Sequence, residues 1–155
     1  MDSSKLEAIQ NEKWSGPKEK LEEIMNIKLG VSNSFMPPKI DDTTYQAIRR
    51  YLETYDMWSL IAMERVALTL KSAILPILLS MREIQPNEAV DLSFVEQDFQ
   101  TDRWGRVEWQ HDIERQDLYA KTCAAALVMH HATETQESFE LTPLQRLQAV
   151  AKEMT

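Results

Sequence analysis

The sequence predicts an all-α fold, a bundle of about six helices, and three observations carry that expectation. Good helix formers dominate the 155-residue chain. No run shows the period-two alternation of β-branched residues that marks a strand. Only three glycines interrupt it. A chain of this length hides roughly 70% of its extended surface on folding. Its 43% apolar and 27% charged residues are an ordinary globular mix.

Each helix has its own start and stop. The first is expected over 17–28, with Pro17 in the first turn, Gly30 as the stop and Leu21, Ile24, Met25 and Leu29 as one apolar stripe. The connector 31–40 contains Pro37-Pro38 and is extended. Residues 1–40 thus form a lead-in to a helical domain over 41–155. Asp41 or Asp42 caps a second helix that reaches Thr54 and turns Tyr45, Ile48, Tyr51, Leu52 and Tyr55 inward. Asp56 caps a long third helix over 57–82, apolar on nearly every face after Leu68 and therefore central, with Pro76 kinking it. Within it, Lys71 and Glu64 are expected to pair with opposite charges on neighbouring helices, because an unpaired buried charge is costly. Pro86 opens a fourth helix to Arg103, burying Ala89, Val90, Leu92, Val95 and Phe99. Gly105 marks a break over 104–110. A fifth helix over 112–131 turns Leu118, Ala125, Leu127, Val128 and Met129 inward, and Pro143 opens a last short one over 144–152.

Composition excludes several function classes. The net charge is −8, a poor match to a phosphate backbone, so nucleic acid is not an expected partner. A single cysteine, Cys123, rules out an internal disulfide and a multi-cysteine zinc site. The most apolar run, 72–81, is ten residues where a membrane span needs about 20, so no membrane insertion is expected. The N-terminal stretch mixes acids with lysines, lacks arginine, and reads as neither a secretory signal nor a mitochondrial presequence.

Catalytic constellations are thin. No serine lies in a nucleophile-elbow context, and Cys123 sits beside three alanines on an apolar helix, where a thiol is buried and inert. Glu96 and Glu108 could pair as acid and base, but such carboxylates in an acidic helical protein are ordinarily surface groups. Glu108 and His111 form one Glu-x-x-His unit, whereas a carboxylate-bridged di-metal bundle needs two such units and two further glutamates. No enzyme activity, cofactor or metal is therefore expected. A carboxylate/histidine metal-binding bundle remains an alternative.

Charge and aromatic residues concentrate in one place. Residues 91–117 hold eight acids against three bases, and Trp104 and Trp109 lie among them at the predicted break. With Trp58 these tryptophans read either as core packing or as anchors of a protein-binding surface. A helical protein-interaction module is the reading that pattern alone supports.

Residues 51–131 also carry an ordered run of local motifs. They are Asp56-x-Trp58-x-Leu60, Lys71-Ser72, Ser93-x-Val95-Glu96-x-Asp98-x-Gln100 and Trp104-Gly105-x-Val107-Glu108-Trp109-x-His111-Asp112. In this the chain resembles the helical C-terminal domain of the mitochondrial chaperones that assemble the F(1) part of ATP synthase (the assembly factor 2 type). The resemblance implies a non-enzymatic chaperone of the mitochondrial matrix that binds and shields the unassembled F(1) α subunit. It places client-binding residues at Glu96, Trp104, Glu108 and Asp112, with Glu96 and Glu108 supplying negative potential and Trp104 and Gly105 shaping the turn that presents Glu108. Asp112 has a second reading as the cap of the fifth helix, and His111 is expected to be a structural hydrogen-bonding group. Members of the family also carry a β-rich domain ahead of the helical one, and the resemblance begins at about that junction. A client gripped between two such domains would be held weakly by the helical one alone.

Overall fold

The structure, a computed structural model, describes residues 3–32, 36, 38–105, 107, 109–135, 145, 148 and 152. Six helices of four residues or more follow one another among these: α1 (Ser3–Met25), α2 (Asp42–Glu53), α3 (Met57–Leu70), α4 (Ile74–Ser80), α5 (Pro86–Trp104) and α6 (Gln110–Thr135). The fold is all-α, as the sequence predicts, but its partition differs from the expected one in three places.

The first difference is α1. It begins well before Pro17, which lies inside the helix rather than at its start. Pro17 cannot donate to the Lys13 carbonyl, so α1 continues across one missing backbone bond. It stops at Asn26, not Gly30. Asn26 takes φ 51°, and the Ile27 N–H reaches back to the Glu22 carbonyl at 3.1 Å, which satisfies an end-of-helix acceptor.

The second difference is the expected central helix. It is two helices, broken at Lys71, which adopts a left-handed conformation (φ 51°, ψ 38°) at the end of α3. Pro76 is then the third residue of α4, within the first turn, where a missing N–H removes no helical bond. It therefore starts a helix rather than kinking one. Lys71 and Glu64 are both exposed, so neither is a buried charge needing a partner. Third, Leu127 and Val128 of α6 face outward, at 71% and 43% exposure, while Ala125, Ala126 and Met129 take the inward positions. The expected last helix, 144–152, lies largely outside the described residues.

The other boundaries agree closely. Asp41 caps α2, its carboxylate accepting the Thr44 N–H at 2.7 Å. That backbone bond, with those from the Thr44 and Thr43 side chains, holds the Asp41 carboxyl below its ordinary range. Asp56 caps α3 through Ser59 N–H at 3.1 Å. Glu88 accepts the Gln85 N–H at 2.7 Å where Pro86 opens α5.

The core is centred on α4, which is buried from Leu75 to Ser80. The ring hydroxyl of Tyr51 meets that of Tyr55 at 2.6 Å and Ser80 Oγ at 3.1 Å, and Ser80 donates to the Ile77 carbonyl. This chain of bonds fixes α2 against α4. α3 packs chiefly on α6, α5 also lies against α6, and α1 crosses α4 and α5. Leu21, Met25 and Ile27 join the same apolar cluster as Leu75, Leu78 and Phe94. Lys20 of α1 ties down the turn after α4 through Glu83 at 2.6 Å. His130 Nε2 donates to the Leu79 carbonyl at 3.2 Å, joining α6 to α4.

Candidate functional site

The corner between α5 and α6 holds the sequence-predicted tryptophans. α5 ends at Trp104, and the Gly105 N–H returns to the Thr101 carbonyl at 2.9 Å. Gly105 then takes φ 93°, which suits glycine and strains any other residue. Trp109 has φ 68°, and its carbonyl accepts the Ile113 N–H to begin α6. Trp109 is therefore the residue at the start of α6, and Asp112 lies within the first turn. There its carboxylate complements the positive end of the helix dipole.

The geometry makes this corner an outward display of apolar side chains. Trp104 is 72% exposed and Trp109 74%, while Val107 and Ile113 are exposed beside them. Core packing is excluded for both tryptophans. The Arg103 guanidinium lies 5.5 Å from the Trp104 ring centre.

Behind the display, α5 and α6 are cross-linked. The Gln97 amide donates to Glu114 at 3.0 Å and meets His111 Nδ1 at 2.8 Å. His111 is thus a structural hydrogen-bonding group, as expected. Arg115 reaches Asp91 at 2.8 Å and Asp98 at 2.6 Å, and its guanidinium covers the Phe94 ring at 4.5 Å. Three of the eight acids in the stretch, Asp91, Asp98 and Glu114, therefore hold α5 to α6, and the whole run is not a free acidic face.

The four expected client-binding residues are not equally placed. Trp104 and Asp112 flank the corner, both exposed. Glu96 is exposed on α5, eight residues before Trp104 and so about 12 Å up the helix. Glu108 lies outside the described residues. Among the described residues, no group of three or more His, Cys, Asp or Glu could hold a metal ion, and no helix is long and apolar enough to cross a membrane.

A second exposed apolar face was not legible in the sequence. Between α3 and α6 runs a groove of about 360 Å³ bordered by Trp58, Ile61, Arg65, Lys121 and Val128, with alanines along its floor. Trp58 is 63% exposed. The run 123–126, one cysteine and three alanines, is the signal that could have found it: small residues leave a furrow where larger ones would fill it. Cys123, next to the groove residue Ala124 in sequence, is free and half-buried, not sealed in the core. A hydrogen bond to Cys123 pushes the Tyr119 hydroxyl above its ordinary pKa.

No family model matches the chain. It is 31% identical over 127 residues to mitochondrial protein atp12 of Schizosaccharomyces pombe, an alignment covering 80% of this chain and 44% of that protein. To mitochondrial protein ATP12 of Saccharomyces cerevisiae it is 29% identical over 97 residues, covering 56% of this chain and 30% of that one. The chain thus spans less than half the length of these curated relatives. The crystal structure of Atp12 from Paracoccus denitrificans superposes with a TM-score of 0.75 at 21% identity, over 82% of this chain and 54% of the bacterial one. A point mutant of that bacterial protein gives 0.74 at 22% identity. The structural likeness establishes a common fold. Joined to the sequence identity with two Atp12 proteins and to the ordered motifs of residues 51–131, it leads to one conclusion: over an all-helical portion, this chain is similar to the Atp12 proteins.

Proposed function

We propose that the chain is a non-enzymatic chaperone module for assembly of the mitochondrial ATP synthase, acting in the matrix by binding and shielding the unassembled F(1) α subunit. The observation that carries this reading is the α5–α6 corner. It presents two tryptophans, a valine and an isoleucine to solvent beside carboxylates, on a frame locked by Gln97 and Arg115. A free subunit of a ring exposes apolar surface and aggregates through it. Aromatic anchors cover such a surface, and surrounding charge keeps the complex soluble and orients the encounter. In this reading Trp104 and Trp109 supply contact area, while Glu96, Glu108 and Asp112 supply negative potential toward the client. The mitochondrial designation of the two yeast relatives supports the compartment.

The test is light scattering of purified F(1) α subunit at an aggregating temperature, with and without an equimolar amount of this chain. Suppression is expected. Glu108→Lys should reduce it severalfold and leave the circular-dichroism melting curve unchanged, because an interface charge acts on association rather than on packing. Unfolding of Glu108→Lys would make Glu108 a structural residue. A folded chain that gives no suppression would favour a second reading, a helical interaction module without chaperone activity.

A further inference from the structure

A third surface is separate from the α5–α6 corner and from the α3–α6 furrow. Between the N-terminal half of α1 and the outer face of α5 runs a groove of about 620 Å³. Its floor is apolar: Ile9 and Pro17 from α1, and Leu92, Val95 and Phe99 from α5. The three α5 residues recur at the spacing of a single helical stripe. Along the same face stand Glu88, Asp91, Asp98 and Asp102. Lys13 lies on the α1 wall, and Arg115, already engaged by Asp91 and Asp98, is the other cation lining the groove. Among the described residues that line it, four carboxylates against two cations leave the groove negative.

Its shape narrows the kind of ligand. From Glu88 to Asp102 the acids extend along α5 for about 21 Å, nearly four helical turns. A compact small molecule would meet only part of that row. A helix with an apolar stripe and cations on either side of it would meet the whole row, with its stripe on the floor. We propose that the α1–α5 groove is a docking site for a cationic amphipathic helix supplied by a partner protein. The proposal goes beyond the chaperone reading and does not depend on it.

Fluorescence anisotropy of a dye-labelled synthetic peptide, titrated with the whole chain, tests it. The probe is about four turns long, with leucines on one face and lysines flanking them. A companion peptide carries glutamates in place of the lysines. The lysine peptide should bind, more tightly at low than at physiological salt, and the glutamate peptide should not. The combined variant Asp102→Lys with Glu88→Gln should weaken binding by about tenfold. Glutamine retains an oxygen for the Gln85 N–H, so the start of α5 is kept. Lys13→Glu, at an exposed position on the opposite wall, should act in the other direction and tighten binding severalfold. Glu64→Lys, exposed on α3, should change nothing. The proposal is overturned if the lysine peptide fails to bind, if the glutamate peptide binds equally, or if the groove variants bind as the parent does. It is also overturned if Trp109→Ala alone abolishes binding, which would assign the peptide to the α5–α6 corner.

Discussion

Ser59 and Thr122 bring hydroxyl groups into the interior of α3 and α6, and both are sealed from water. Neither oxygen has a hydrogen-bond partner among the described residues. A buried polar group left unpaired costs about 1–3 kcal/mol, whereas an apolar group of the same shape carries no such cost. Thr122→Val preserves the branched shape and removes the hydroxyl. It is expected to raise stability by about 1 kcal/mol, read as a higher urea midpoint at constant slope. A lowered midpoint would show that the hydroxyl is bonded in solution. The Tyr51 hydroxyl is the contrasting case. It is equally buried, yet it is satisfied by Tyr55 and Ser80, so the same deletion there removes a working link between α2 and α4.

At the scale of elements, three helices end without glycine where glycine is the usual choice. Asn26, Lys71 and Arg82 all have positive φ, and each is followed by a backbone bond reaching back to the preceding helix. A side chain in this conformation costs roughly 1–2 kcal/mol, a cost that asparagine eases by local hydrogen bonding. Lys71→Gly is therefore expected to stabilise the chain by about 0.5–1 kcal/mol, after allowing for the greater freedom of glycine in the unfolded state. A thermal unfolding curve checks it, and a fall in midpoint would show that the lysine stem packs usefully. The same feature explains what the sequence hid. Helix 57–82 looks continuous because no glycine marks its break, and Pro76 fits a kink in one helix as well as the first turn of another. The caps at Asp41 and Asp56, the proline start at Pro86 and the turn at Gly105 were legible because each residue type suits its position chemically. Leu127 and Val128 misled because hydrophobicity predicts burial only when a neighbouring element is present to cover the residue. At the α5–α6 corner, the sequence located Trp104 and Trp109, but left open whether they were core or surface, which depends on the direction of Gly105 and Trp109.

For the molecule as a whole, α1 is part of the core. Burying Leu21, Met25 and Ile27 contributes about 1.5–3 kcal/mol each, comparable together with the entire stability of an ordinary domain. A chain trimmed to start at Asp41 is therefore expected to lose its cooperative melting transition and to bind a hydrophobic dye. An unchanged transition would show that residues 41–155 are stable alone. The exposed positions of Trp58, Trp104 and Trp109 have a spectroscopic consequence. Most of the intrinsic fluorophores already face water in the native state, so their emission maximum lies toward the red before denaturant is added. Unfolding of the core would then be a weak optical event. A partner settling on the α5–α6 corner would be a strong one, shifting the emission toward the blue.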